Sequence, residues 1–415
     1  MEQDRIIEIR IQGIRSLKDV KLSTEGLTVL IGENGTGKSS IIEALEILRK
    51  AASQNFMDQL HELHGGLASL LHHRADRLRL GLWLDGSGGR IEYDVALARE
   101  GNSTVVDLEH LHLEPETVNG PLPPKGHQGP IVKVIERTRS ASEVTDDTGS
   151  KAFERGATVV GPGELLLTSY GRKPPHRAIT RVLQALEGID VHLPFDVAPW
   201  WSLAEQRRQN TMRDDNVTRS TSMLKRLGQN LANAYHELRN RSPEHWAETL
   251  DRVRLGLGYD VVDVTTPATI DGGRIALEVI YRPQHAVSLF GLSDGTLAYL
   301  ALVALFRLNT SRSLVAFDEP ETHLHPALLL RTLDFWEQTA KQCPVVLATH
   351  SDRLLDGLTN PEDSVILCEL DVDRSTRLFR PDAEVLKQWL DEYRGLGDVR
   401  SAGHQASIMT QPVEP

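Results

Sequence analysis

Eight consecutive residues, Gly32-Glu33-Asn34-Gly35-Thr36-Gly37-Lys38-Ser39, have the types and spacing of a phosphate-binding loop, G-x-x-x-x-G-K-[ST]. Glycines at these places let backbone N–H groups curl around phosphate oxygens, so Asn34, Gly35, Thr36 and Gly37 are candidates to cradle an anion. Lys38 would neutralise phosphate charge and the Ser39 hydroxyl would ligate Mg²⁺, with Ser40 beside it as a further phosphate contact. The positive end of the helix that follows adds to the same pull.

Three further groups fit around such a loop. Leu314-Val315-Ala316-Phe317 is an apolar run ending in Asp318-Glu319, two acids at the C-terminal edge of a strand. There Asp318 would hold the Mg²⁺ and Glu319 would polarise an attacking water as general base. Ser293-Asp294-Gly295-Thr296 precedes the apolar stretch Leu297 to Phe306, so Ser293 and the Gly295 N–H stand at a helix N-terminus suited to a phosphate held by another subunit. Val345 to Ala348 is a second apolar strand, ending at Thr349-His350, where His350 can sense the γ-phosphate or hold the attacking water.

The elements that must position these groups alternate in type. Apolar residues at Ile6, Ile9 and Ile11, at Val20 and Leu22, and over 27–31 predict short strands, and Ile41, Ile42, Leu45 and Leu48 predict a helix after the loop. Runs at 78–84, 91–97 and 131–135 predict an antiparallel sheet beside the nucleotide core, and the polar stretch 137–153 a loop. Residues 175–256 read as mainly helical, with Leu224, Leu227, Leu231, Ala234, Tyr235 and Leu238 at three- and four-residue spacing but no sustained heptads. Strands are expected at 259–264 and 275–281. Helix 295–308, strand 313–317, helix 326–341 and strands 344–348 and 364–370 complete an α/β pattern with crossovers. The organisation expected is a head in two parts, 1–174 and 257–394, a helical insertion at 175–256 and a flexible tail at 395–415.

Composition narrows the classes. The chain of 415 residues has a formal charge of −12, which disfavours binding nucleic acid over its whole surface. Basic residues cluster locally, with Arg172, Lys173, Arg177 and Arg181 free of acids and with Arg207, Arg208, Arg213, Arg219, Lys225, Arg226, Arg239, Arg241, Arg252 and Arg254 making 201–256 net basic. These form the candidate nucleic-acid face. The longest apolar run falls well short of the roughly 20 residues of a membrane span and the charged N-terminus is unlike a secretory signal, so a cytoplasmic protein is expected. The two cysteines, Cys343 and Cys368, lie in strand-like runs and are expected as reduced core thiols.

Taken together and in this order, the four groups resemble the ABC-type ATPase heads of the RecF, SMC and OLD class, and most nearly the stand-alone bacterial "AAA family" predicted ATPases. Asp318-Glu319-Pro320-Glu321-Thr322-His323-Leu324-His325-Pro326 carries the resemblance, because transporter ATPases usually have Thr or Ser after the Pro and lack Leu-His-Pro. Ser293-Asp294-Gly295-Thr296 likewise departs from the transporter Ser-Gly-Gly-Gln. The resemblance implies an α/β P-loop NTPase of ABC-head type, with a central mostly parallel sheet, an antiparallel β subdomain and a helical insertion. It further implies ATP and Mg²⁺ as cofactors, with Lys38, Ser39, Asp318, Glu319 and His350 in one subunit and Ser293 and Gly295 acting across an ATP-dependent homodimer. A glutamine loop belongs to the pattern, for which Gln59 and Gln128 are the candidates. His323 and His325, two apart beside a proline, fit a structural turn rather than a metal site.

The function expected is an ATPase of DNA repair, recombination or anti-phage defence, not attached to a membrane, that clamps DNA or licenses a partner. Residues after 370 are too few for a nuclease domain, so a nuclease or toxin would be a partner protein. The reading from another class is a regulatory ATP-binding scaffold that controls a toxin or nuclease without touching DNA.

Overall fold

The computed structural model describes residues 4–115, 131–148, 152–156, 160–171, 176–198, 211–270, 272–308 and 311–413. Two large sheets meet around the helix Lys38–Lys50. One has seven strands in the order Ile189–His192, Leu314–Asp318, Val345–Ala348, Leu27–Ile31, Val365–Leu370, Thr376–Arg380 and Gln411–Pro412. The first five run parallel, and each of the last two is paired antiparallel to the strand before it. Its central strands are apolar on both faces, as burial on two sides requires. Leu30, Ala316, Val346 and Ile366 turn to one core, while Val29, Phe317, Leu347 and Leu367 turn to the other.

The second sheet is antiparallel throughout and has eight strands. They follow the order Leu17–Ser23, Arg5–Ile14, Arg77–Asp85, Arg90–Glu100, Ser103–Glu114, Val132–Thr138, Ser142–Thr145 and Ala152–Gly156. Ile91, Tyr93, Val95, Leu111 and Leu113 enter the core shared with Ile41, Leu45 and Leu48, while Glu92, His110 and His112 lie on the other face, only partly buried. On the far side of the parallel sheet lies a helical layer formed by Leu231–Arg241, Pro243–Leu257, Asp294–Leu308 and Pro326–Ala340. Ser242 caps the second of these by accepting from the His245 N–H, with Pro243 in the first turn. The helix Asp294–Leu308 is buried on nearly every side, which accounts for its unbroken apolar sequence.

Three segments differ from the sequence expectations. Within 175–256 the helix Arg177–Glu187 packs against the phosphate-loop helix and Ile189–His192 joins the parallel sheet, so this stretch is partly core and not wholly helical. The polar stretch 137–153 supplies paired strands, because Val144 and Thr145 are buried and the polar Ser142 and Glu143 are themselves partly covered by pairing on both sides, with no alternation in the sequence to mark them. The expected flexible tail folds: Leu396, Val399, Ile408 and Met409 are buried and Gln411–Pro412 adds to the sheet edge. Spread among polar residues, those four apolar side chains give no periodic signal. Cys343 and Cys368 are free and buried, and burial pushes both thiols up to about 12.

Candidate functional site

The strand Leu27–Ile31 ends at the phosphate loop and the helix Lys38–Lys50 leaves it. Gly35 and Gly37 have φ of 80° and 99°, the left-handed region that glycine enters without strain. At Gly37 space is also lacking, since a Cβ would lie 2.3 Å from Thr376 Oγ1 and 2.8 Å from Ser16 Oγ. These two hydroxyls brace the loop from behind, with Thr376 Oγ1 at 2.9 Å from the Thr36 carbonyl oxygen and 2.8 Å from Ser16 Oγ. No side chain caps the helix start, so its first-turn N–H groups are left for a ligand. Lys38 is buried, its Nζ donating to the carbonyls of Gly32 at 2.9 Å and Glu33 at 2.8 Å. Burial lowers its pKa, against the attraction of Asp318 and Glu319.

Asp318 ends the neighbouring strand but one, with the Ser39 hydroxyl close enough to its carboxylate to lower its pKa. Burial raises the Asp318 pKa, the nearby Ser39 hydroxyl opposes this, and the charges of Glu319 and Glu321 add to the rise. Glu319 has φ 51°, an unusual conformation for a side chain of its size. Its N–H donates to the Ala348 carbonyl at 2.7 Å, and Thr322 Oγ1 donates to its Oε2 at 3.3 Å. Chain geometry therefore turns Glu319 out of the strand just past Asp318.

His350 follows the next strand and is tied to this corner by Glu321. Glu321 Oε1 accepts from the His350 N–H at 2.9 Å and from Thr349 Oγ1 at 2.7 Å, while Oε2 is buried without a protein partner. If that tie sets the height of His350, Glu321→Ala will lower kcat for ATP by about 10- to 100-fold through misplacement while leaving KM within a few-fold. Glu321→Gln, which keeps an acceptor oxygen, will restore most of it. Steady-state turnover of the two variants measures this, and equal kcat in Glu321→Ala and wild type would remove the role.

Lys38, Ser39, Asp318, Glu319 and His350 thus gather at one edge of the parallel sheet. Ser293 and Gly295 belong to a separate corner, and among the described residues no hydrogen bond joins them to the phosphate loop. Ser293 Oγ caps the helix Asp294–Leu308 by accepting from the Thr296 N–H at 3.2 Å. Gly295 abuts the turn after Glu319, where a Cβ would lie 2.9 Å from the His323 carbonyl oxygen. Arg213 secures this corner from beneath. Buried, it donates to the carbonyls of Val197 at 2.8 Å, Leu289 at 2.7 Å and Leu292 at 2.9 Å, and to Asp294 Oδ1 at 2.7 Å.

Arg213 corrects the expected basic face, of which it is a member by sequence. Arg181 pairs with Asp4 at 2.7 Å, Arg239 with Asp263 at 2.8 Å and Arg226 with Glu46 at 3.7 Å. Arg252 lies over the Phe335 ring, Arg254 pairs with Asp251, and Arg241 donates to the carbonyls of Arg307 and Leu308. Arg177, Arg219, Lys225 and Arg241 of the described members are exposed. Arg172, Lys173, Arg207 and Arg208 lie outside the described residues, as does Gln128. Gln59 bonds only its neighbours Ser53 and Asn55. His325 caps the helix Pro326–Ala340 through Nδ1, and His323 occupies the turn with φ 69°.

Sequence reasoning misses Ser16, Thr376, Arg213 and Glu321 as parts of the site. Glu321 has a signal, being fixed in the Asp-Glu-Pro-Glu segment; the others act through contacts that span much of the chain. The uncapped helix, the crowded left-handed glycine, the buried lysine and the Ser39 hydroxyl set close to the Asp318 carboxylate together fit a nucleotide triphosphate and a divalent cation.

The chain is similar in sequence to ATPase domains and in fold to SMC heads. A family model described as "AAA ATPase domain" matches residues 5–103, and one described as "AAA domain, putative AbiEii toxin, Type IV TA system" matches residues 174–356. No curated protein matches the chain in sequence. The solved SMC head bound to the C-winged helix domain of ScpA superposes with a TM-score of 0.54 at 13% identity, over 92% of this chain and 99% of that one. An Smc head with an extended coiled coil, bound to the C-terminal domain of ScpA and derived from Pyrococcus furiosus, gives 0.50 at 13% identity, over 94% and 99%. The fold is that of an SMC ATPase head, a P-loop NTPase of ABC type, and the sequence matches support an ATPase.

Proposed function

We propose that this chain, AAA-family ATPase sequence on the fold of an SMC head, hydrolyses ATP with Mg²⁺ between two copies of itself and uses the closed dimer to control a partner effector in DNA repair or anti-phage defence. The observation that carries the chemistry is the placing of Ser39, Lys38 and Glu319 around the Asp318 carboxylate, each close enough to shift its pKa, which brings the phosphate loop and the acidic strand end together. Backbone N–H groups of 34–37 and Lys38 hold the phosphates, with Ser40 at the helix start beside them. Ser39 and Asp318 would hold Mg²⁺, which supplies charge neutralisation for the phosphate oxygens. Glu319 takes a proton from water and His350 keeps that water or the terminal phosphate in line. Ser293 and the Gly295 N–H complete the site of the other copy, so that closure follows from contacts the nucleotide adds.

Two observations favour a protein partner over direct DNA binding. Half of the described members of the basic group form ion pairs within the chain, and the family model matching 174–356 is described by a toxin of a toxin–antitoxin system. The solved SMC heads with ScpA offer a precedent for a head that carries a protein domain. Turnover measured with and without double-stranded DNA at low and moderate salt separates the readings. Rates indifferent to DNA are expected of a head that acts on a toxin or nuclease; stimulation by DNA that fades with salt would return the function to a DNA clamp. Among the described residues no helix is long and apolar enough to cross a membrane.

A further inference from the structure

The outward face of the antiparallel sheet carries a cluster of ligand-type side chains remote in function from the nucleotide site. Glu92 is the register partner of His112 and Asp94 that of His110, while His110 is paired on its other side with Glu136. Alternation puts Glu92, His110 and His112 on the face opposite Tyr93, Leu111 and Leu113. The two imidazoles stack with centroids 4.8 Å apart and an angle of 10°.

Each histidine has its Nε2 engaged by its own carboxylate. His110 Nε2 lies 3.0 Å from Asp94 Oδ2, and His112 Nε2 lies 2.5 Å from Glu136 Oε1. Asp94 is itself held by Arg79 Nε at 3.1 Å. That arrangement, a carboxylate fixing one ring nitrogen so that the other faces a cation, is how proteins orient metal-bound histidines. Glu92 divides in the same way: Oε1 accepts from Arg10 Nη1 at 3.0 Å, and Oε2 lies 3.7 Å from His112 Nδ1. One ligand-type atom from each of Glu92, His110 and His112 lies within 4.8 Å of the others, and no other three such residues meet this test among the described residues.

We propose that Glu92, His110 and His112 bind a divalent transition metal of the zinc class, using Nδ1 of both imidazoles and Oε2 of the carboxylate. Two nitrogens and one oxygen suit zinc, whose bonds of about 2.0–2.2 Å would draw the ligand atoms to roughly 3.3 Å apart. The side chains are partly exposed, so rotation about their own bonds can make that contraction without moving the strands. A nitrogen-rich set discriminates against Mg²⁺, which takes oxygen ligands, so the two cation sites would load independently. Three protein ligands leave a fourth position for water or for a side chain of a bound protein. A sheet face held only by ion pairs is the competing account, and it predicts no metal uptake.

Calorimetric titration of the chelator-stripped full chain with Zn²⁺, in excess Mg²⁺, tests the assignment. Wild type is expected to take one Zn²⁺ per chain with micromolar or tighter affinity, and Co²⁺ in its place should give visible absorption of tetrahedral strength. His112→Gln and Glu92→Gln should each weaken uptake about 100-fold or more, and Asp94→Asn about 10- to 100-fold through the lost orientation of His110. ATP turnover, which none of these residues touches, reports that each variant is folded. Should His112→Gln fail to fold, His110→Gln and Glu92→Gln decide the matter. Absence of stoichiometric uptake by folded wild type, or equal uptake by the folded variants, would overturn the site.

Discussion

Glu319→Gln is expected to slow ATP turnover by about 10²- to 10⁴-fold, the range lost when a positioned general base is removed. The amide is the same shape and can still accept from Thr322, so the left-handed turn that aims residue 319 should survive. Nucleotide affinity should then stay within a few-fold of wild type, because Lys38, Ser39 and the helix start are untouched. With hydrolysis blocked, ATP should hold the closed dimer, which size-exclusion chromatography with and without ATP would reveal as a shift from monomer to dimer. Turnover equal to wild type would assign the base to another residue.

Arg213→Ala should have the second largest effect, and on a different step. Its guanidinium serves four carbonyls, those of Val197, Leu289, Phe290 and Leu292, and Asp294, so truncation strands buried acceptors and frees the start of the helix Asp294–Leu308. The cost is on the order of 3 kcal/mol in stability, seen as a lower melting temperature. ATP-driven dimerisation in the Glu319→Gln background should be lost, since Ser293 and Gly295 would no longer be presented, while single-chain nucleotide binding remains. Arg213→Lys should not rescue it, because one ammonium cannot spread over acceptors arranged for a planar fork. Dimerisation that persists in Arg213→Ala would mean that the Ser293 corner is not the cross-subunit contact.

Much of the nucleotide corner is legible in sequence because it is local. Gly35, Gly37, Lys38 and Ser39 act through backbone shape and helix position within a single turn, and Asp318 and Glu319 follow directly from an apolar strand. Strand runs over 27–31, 314–318 and 345–348 are likewise plain, since a strand buried on both faces has no polar residues to blur it. What the sequence hides is pairing across distance. Arg213 reads as one more surface charge until the carbonyls of Leu289 and Leu292 are brought to it, and Thr376 reads as an ordinary strand residue until Gly37 sits on it. The strand Ser103–Glu114 escapes for another reason: Asp107, Glu109, His110 and His112 interrupt its apolar alternation, and Glu109 is buried only because the N–H groups of Leu166 and Leu167 bond it.

The strand that carries the phosphate loop lies between Val345–Ala348 and Val365–Leu370, and Thr36 meets Thr376 across 340 residues of chain. On a ribosome adding about 5–20 residues per second, the loop would emerge and then wait roughly 20–70 seconds for its sheet neighbours to be made. Until then the apolar run Leu27–Ile31 has two open edges and no partner on either side. A nascent chain of this kind acquires its nucleotide site only once residues 345–370 have been made, which makes it a natural client for chaperones that shield unpaired strands.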